Sequence, residues 1–416
     1  NQFPLAECRT ASGSTIDGWR RMRIGIFVLA ISLSVLAIKN TSGAEEYASF
    51  KIGYLELERD ARYDETQAYA RIQLRPRGRP FSGAEVGIAD AKIIGDAIKV
   101  VFSIERRIGA DPKGLVKEIE SLSAEGVHFF LVDLPEIQLL DLADRVQGSN
   151  VLLLNVTSQA DSLRGIDCRP NLLHLSPSYN MLADALVQYL VFKKWTKILL
   201  LEGPSILDEQ IVRAVERAAA RFGAEIIDKR PFLLSNDPRE REKNNVALLT
   251  GGRRDYDVVY VADSYGEFGR YVPYQINRPR PVVGTAGLVA DWWSWSWERH
   301  GAPQLNSRFE RHTGRRMVGQ DWSAWVGVKA IVQAVTRSKS THFQAVSDYL
   351  RGERIKIDGV KGPSLSFRQW NNQLRQPILI GTHNAIIARA PLRGFLHEIN
   401  DLDTLGDDAR DTTCQF

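Results

Sequence analysis

Of the nine tryptophans in this 416-residue chain, four fall in one short run, Asp291-Trp292-Trp293-Ser294-Trp295-Ser296-Trp297-Glu298. Indole rings are large, rigid and flat, so such a cluster either fills a hydrophobic layer or grips something flat or cationic. Guanidinium groups form a second concentration. Arg59, Arg62, Arg71, Arg75, Arg77 and Arg79 lie between Glu58 and Gly83, and Arg106 and Arg107 follow. Arginine forks suit carboxylates, although a charge run is more often a solvated face. The usual catalytic signatures are missing. No G-x-G-x-x-G or G-x-x-x-x-G-K-[ST] stands at a strand end, and Gly203-Pro204-Ser205 lacks the second glycine of a nucleophile elbow. The seven histidines are scattered, with no H-E-x-x-H and no C-x-x-C, so neither a metal site nor an enzyme is expected. His128 and His174 sit on apolar runs and read as core residues.

The elements that must position these groups alternate regularly. Short apolar runs predict strands at 50–57, 98–104, 127–132, 151–154, 197–201, 224–227, 257–261 and 281–284. Between them, 3.6-residue periodicity predicts helices at 112–123, 136–146, 181–192, 205–222 and 321–336. Asp111-Pro112 supplies an N-cap and a first-turn proline, and Gly126 and Gly223 mark helix ends. Continuous apolar strands separated by helices mean parallel sheets covered on both faces, an α/β chain throughout. Four strands end in small or polar residues: Asp133-Leu134-Pro135, Asn155-Val156-Thr157-Ser158, Glu202-Gly203-Pro204-Ser205 and Ala262-Asp263-Ser264-Tyr265. The crevice outside such ends is where open α/β sheets bind ligands, so these loops are the expected site floor.

Length favours two lobes rather than one core. Arg20, Arg21 and Arg23 precede an apolar run from Ile24 to Ile38 and the exit Ser42-Gly43-Ala44, the layout of a secretory signal peptide, with Met22 a plausible start. Cleavage near Ala44 would remove Arg9, Arg20, Arg21, Arg23 and Lys39 with Glu7 and Asp17, taking the formal charge of +4 close to neutrality. A near-neutral exported chain gives no footing for nucleic acid. Cys8 lies upstream, leaving Cys168 and Cys414, which an oxidising compartment permits to bridge; two free thiols are the alternative. The tail 391–416 is acidic and has little periodicity.

Several strings carry a resemblance to a known family. They are Asp111-Pro112, Leu153-Leu-Asn-Val-Thr-Ser158, Cys168-Arg-Pro-Asn171 leading to His174-Leu-Ser-Pro-Ser178, Trp322-Ser-Ala-Trp325, and Lys361-Gly-Pro363 before Leu365-Ser-Phe367. In these the chain resembles the type I periplasmic solute-binding proteins of ABC transporters, of the branched-chain amino-acid receptor kind, over roughly residues 48–390. Arg278-Pro-Arg-Pro281-Val-Val-Gly284, Phe367-Arg-Gln-Trp370, Gln373-Leu-Arg-Gln-Pro377 and Gly394-Phe-Leu-His397 resemble more narrowly the subgroup associated with alcohol oxidation dependent on pyrroloquinoline quinone (PQQ).

The resemblance implies two Rossmann-like lobes joined by a three-segment hinge. The first would hold 48–175 plus 313–353 and the second 179–290 plus 358–390, with crossings near 174–178, 286–315 and 355–361. It implies a monomeric periplasmic receptor that closes on a small molecule for an ABC permease, or hands it to a PQQ-dependent dehydrogenase, with PQQ as bound ligand and no catalytic cofactor. Another aromatic acid or an alcohol-related metabolite is the alternative. The implied binding positions are Tyr63, Pro135, Asn155, Thr157, Ser158, Ser205, Asp263, Asp321 and Trp322. PQQ is planar and carries three carboxylates, so Trp292 and Trp293 are expected as its stacking surface, Trp295 and Trp297 as structural, and Arg59, Arg62, Arg106 and Arg107 as carboxylate partners. Amino-acid receptors of this kind offer a hydroxyl cradle where this chain has Leu134-Pro135-Glu136, which makes an ordinary amino acid a poor ligand.

Overall fold

The computed structural model describes residues 47–64, 78–235, 237–252 and 255–416. The expected signal segment, and Arg71, Arg75 and Arg77 of the arginine-rich stretch, lie outside them. In chain order the first lobe contains β1 (Ala48–Leu57), α1 (Phe81–Ile98), β2 (Val100–Gly109), α2 (Pro112–Ala124), β3 (Phe129–Asp133), α3 (Glu136–Arg145), β4 (Leu152–Asn155) and β5 (Leu172–His174). The strands form a parallel sheet in the order β2-β1-β3-β4-β5. One face packs its leucines and valines on α2 and α3. The other lies beneath α1 and the later helices.

The second lobe follows with α4 (Tyr179–Phe192), β6 (Lys197–Glu202), α5 (Ile206–Phe222), β7 (Glu225–Pro231), the one-turn helices α6 (Pro238–Arg241) and α7 (Val246–Leu249), β8 (Val258–Ala262), another one-turn helix α8 (Val272–Gln275), β9 (Val282–Gly284) and β10 (Val289–Asp291). Its parallel sheet runs β7-β6-β8-β9. The chain then returns to the first lobe as α9 (Ala302–Thr313), α10 (Gly319–Ser338) and α11 (Phe343–Arg351), with α9 and α10 packed on α1. A small antiparallel sheet of β11 (Ile357–Asp358), β12 (Ser364–Phe367) and β13 (Leu374–Arg375) comes next, bridged to the first lobe through His174 and Gln373. Finally β14 (Ile378–Gly381) and β15 (Ile386–Ala390) pair with β10 into a second sheet against α4.

Local chemistry explains the helix starts. Asp111 caps α2 by accepting from Gly114 N at 2.7 Å, ahead of Pro112. Ser178 caps α4. Ser205 and Asp208 form a reciprocal capping box at α5, and Gly223 ends that helix in the left-handed conformation at φ 78°.

The tryptophan run is the crossing between β10 and α9, and it is built inward. Trp292 Nε1 donates to Ser323 Oγ at 3.0 Å, Trp293 Nε1 to Asn306 Oδ1 at 3.0 Å, and Trp297 Nε1 to Val360 O at 3.0 Å. Trp293 stacks on Trp322, with centroids 6.1 Å apart. Buried Lys361 ties this crossing to the others. Its Nζ donates to Trp292 O at 2.7 Å, Gln376 Oε1 at 2.7 Å and Pro377 O at 3.2 Å, and sits 3.6 Å over the Trp322 ring. Gln376 Nε2 in turn donates to Leu175 O at 2.7 Å on the first crossing. One amide thus touches two crossings directly and the third through Lys361.

The acidic tail is ordered by ion pairs rather than by an apolar stripe, which is why periodicity does not reveal it. Asp403 accepts from Arg368 and Arg375. Buried Asp184 of α4 accepts from Gly406 N at 2.7 Å and pairs with Arg217 and Arg221 of α5. Cys414 then forms a disulfide with Cys168, S–S 2.04 Å, on the loop between β4 and β5. No helix among the described residues is long and apolar enough to cross a membrane.

Candidate functional site

Parallel strands bring their carboxyl ends to one edge, so the ends of β1, β3 and β4 in the first lobe and of β6, β8 and β9 in the second border the crevice. In the first lobe this edge is organised by three buried acids, Glu56, Asp60 and Asp133, of which only Asp133 stood in a strand-end string expected to form the site floor. Asp133, fully buried at the end of β3, accepts from Arg62 Nη2 at 2.8 Å, Tyr63 Oη at 2.8 Å and Thr157 Oγ1 at 3.0 Å. Burial pushes its carboxyl above the ordinary value, and the Arg62 guanidinium and the two hydroxyls oppose that rise.

Arg62 is held from a second side by Asp60, which accepts from its Nε at 3.0 Å, while Arg62 Nη1 donates to Thr157 Oγ1 at 2.9 Å. Burial opposes charge on both partners; the hydrogen bonds nonetheless raise Arg62 and lower Asp60 from their ordinary values. Most of the Arg62 fork is therefore spent inside the protein, and its side chain is 32% exposed. Burial, reinforced by Asp133, raises the Tyr63 hydroxyl. Arg79 backs the Tyr63 ring at 4.6 Å and lies 3.4 Å from buried Glu56, which also pairs with Arg106. Arg59 is exposed at the end of β1. Arg107 points elsewhere, to Glu105 and to Glu118 of α2 at 3.1 Å. The pattern is consistent: acids beneath, guanidinium groups above.

Other predicted positions build loops. Asn155 Oδ1 accepts from Thr157 N at 3.1 Å and Ser158 N at 2.8 Å, closing the turn after β4. Its Nδ2 donates to Ser158 O and meets His174 Nδ1 at 3.1 Å, while His174 Nε2 faces Leu163 O. Burial holds that imidazole far below its ordinary pKa, so His174 is a neutral core residue. Pro135 precedes α3 as its extended N-cap residue. In the second lobe Ser205 Oγ meets Ser264 Oγ at 2.9 Å, and Asp263 accepts from Gly266 N at 3.0 Å and Gly269 N at 2.7 Å. Asp263 is buried, which raises its carboxyl. This wall presents hydroxyls and the exposed Tyr265, with no free charge from these residues.

Four expectations are corrected by burial. Trp292 and Trp293 are 4% and 1% exposed with their indole nitrogens satisfied inside the hinge, so they offer no stacking face. Trp297 is buried as expected, but Trp295 is the ring left half-exposed, stacked at 3.5 Å under Arg316. Trp322 is enclosed between Trp293 and Lys361, its Nε1 donating to Gly359 O at 3.1 Å. Asp321 is fully buried, accepting from Arg315 at 2.7 Å on each oxygen and from Val318 N. It anchors the start of α10.

Glu136, at the start of α3, accepts from Ser162 Oγ at 2.6 Å and from Gln210 Nε2 of α5 at 3.3 Å, a side-chain contact between the lobes. Asp133 and Ser264 stood within strand-end strings that were legible; Glu56, Asp60, Glu136 and Gln210 carried no local signal. Among the described residues no group of three or more histidine, cysteine or acidic side chains is arranged to hold a metal.

No protein-family model matches the sequence, and a comparison with curated proteins finds no match. Solved structures do match. A branched-chain amino-acid ABC transporter periplasmic ligand-binding protein from Burkholderia xenovorans LB400 superposes with a TM-score of 0.68 at 13% identity, covering 88% of this chain and 99% of that one. The leucine-, isoleucine-, valine-, threonine- and alanine-binding protein of Brucella ovis, in its closed conformation, gives 0.65 at 12% identity over 88% and 98%. An ABC transporter solute-binding protein of Rhodopseudomonas palustris BisB5, in complex with 3,4-dihydroxybenzoic acid, gives 0.58 at 12% identity over 82% and 97%. Sheet order, paired lobes and these superpositions agree: the chain has the two-lobed α/β fold of the type I periplasmic binding proteins.

Proposed function

We propose that this chain is an exported solute-binding protein serving an ABC-type uptake system, and that its ligand is a planar aromatic acid, with PQQ the specific candidate. The observation that carries the reading is the layering of the first lobe. Glu56, Asp60 and Asp133 are buried and hold Arg62, Arg79 and Arg106 at the crevice edge, beside the exposed Arg59. Positioned cations with one tyrosine ring suit a flat ligand bearing carboxylates. The hydroxyl-lined second lobe lacks the acid that an amino group would call for, since Asp263 is used by its own loop. A related fold holding 3,4-dihydroxybenzoic acid supports the wider class of aromatic acids as the second reading. Delivery of PQQ to a dehydrogenase is the same binding event with a different recipient.

Calorimetric titration of the purified protein with PQQ, 3,4-dihydroxybenzoate, benzoate and leucine tests this. Saturable one-to-one binding of PQQ or an aromatic acid, with leucine silent, is expected. Binding of leucine alone would overturn the ligand class.

A further inference from the structure

The C-terminal tail is fastened to both lobes. On the second it lies along α4 and α5. Gln188 of α4 donates to Thr404 Oγ1 at 3.2 Å, and its amide oxygen accepts from Leu392 N at 3.3 Å. Asp184 of α4 accepts from Gly406 N at 2.7 Å, while Arg217 and Arg221 of α5 donate to Gly406 O at 3.1 and 2.7 Å. Arg217 also pairs with Asp407 at 2.7 Å. Asp184 is fully buried, and taking partners from a buried acid is costly, so this anchorage is firm.

A short run further on, Cys414 is bonded to Cys168. That cysteine belongs to the first lobe. Its loop is held to α3 by the pairing of Arg169 with Asp144 and by Asn171 Nδ2, which donates to Ala143 O at 2.9 Å, and to α11 by Arg351, which donates to Pro170 O at 3.1 Å. Between the two anchorages Asp407 O accepts from Trp370 Nε1 at 3.1 Å, on the turn between β12 and β13. The same turn is joined to the first lobe, since Gln373 Oε1 accepts from Arg164 Nε at 2.8 Å and Asn372 O from His174 N at 3.0 Å. Two-lobed folds open and close by rotation about their crossings. A segment fixed on each lobe is a fourth connection beside the three crossings and is carried through any such rotation.

We propose that residues 402–414 form a strap that limits how far the two lobes open, with the Cys168–Cys414 bond as its fastening on the first lobe. A narrower opening lowers the conformational cost of closing on a ligand. The strap acts on the hinge alone and holds whichever ligand the crevice takes.

The distance between the lobes of the ligand-free protein tests this. Maleimide spin labels are placed on Val101→Cys in β2 and Glu225→Cys in β7, exposed positions on the edge strands away from the crossings, and read by pulsed electron resonance. Four strand spacings of about 4.8 Å put β2 roughly 20 Å from β5, which leads into the first crossing. A rotation of about 15° displaces a point at that radius by about 5 Å. Inserting about six glycine and serine residues after the exposed Arg410 slackens the strap while keeping the bond and the ion pairs of Asp184 and Asp407, and loops tolerate such insertions. The slackened protein should show a mean separation longer by about 5 Å and a broader distribution, and dithiothreitol should shift the parent the same way. An unchanged separation in the slackened protein overturns the strap. So does a shift that appears on reduction alone, which would assign the effect to lost stability.

Discussion

Asp161 is a carboxylate that folding makes harder to ionise. It accepts from Asn180 N at 3.0 Å and from the Ser178 hydroxyl at the start of α4, with Arg164, Tyr179, Arg217 and Asp407 as its charged or titratable neighbours. Burial raises it from 3.8 to about 6. A group that binds its proton more readily when folded adds stability as pH falls through about 6, in full below the unfolded value, and lowers it above. Thermal unfolding should therefore show a gain in Tm on going from about pH 7 to about pH 5 that is smaller in Asp161→Asn than in the wild type. Identical slopes would remove Asp161 as the source. The same scale shows what residue types reveal. Polar strand ends are legible because they interrupt apolar runs. The pairing of Asp133 with Arg62, across 71 residues, is not, because no local pattern encodes it. The tryptophans mislead since spacing gives their number but not their direction, and three of the four rings face inward with their indole nitrogens satisfied.

At the level of elements, the helices read from the sequence are those with apolar stripes and capping residues, while α1 is hidden by its own packing. Gly83, Gly87 and Gly95 weaken any helical signal, yet the close approach of α10 demands the first two and that of β2 the third. A Cβ on Gly83 would lie 2.0 Å from Asp321 O, and one on Gly87 2.9 Å from Val328 Cβ. Gly83→Ala should thus destabilise the protein by roughly 1–3 kcal/mol through overpacking, despite the better helix propensity of alanine. Gly114→Ala in α2, where the nearest contact is an ordinary 3.5 Å, serves as the control and should be neutral or slightly stabilising. Urea unfolding of the two variants checks this, and equal midpoints would refute the close approach of α1 and α10. The short strands β5 and β10 to β15 escaped the sequence reading for a simpler reason. They stand outside the strand-helix rhythm that made β3, β4, β8 and β9, runs just as short, legible.

For the whole molecule, the strand-helix rhythm made the two parallel sheets foreseeable, whereas the tail depends on contacts that join distant segments. Asp403, Gly406 and Asp407 sit on Arg368, Asp184 and Arg217, and the disulfide follows at a sequence separation of 246. Cross-linking so long a loop restricts the unfolded chain strongly, so Cys414→Ser should lower stability by roughly 2–5 kcal/mol. A urea midpoint unchanged by that substitution would show the ion pairs to be sufficient. The bridge also alters how the protein answers to a protease. Because Cys168 and Cys414 enclose all of the second lobe and the return helices, one cut anywhere between them leaves a single covalent molecule. Such nicks would be invisible on a non-reducing gel and appear as two fragments only after the thiols are freed.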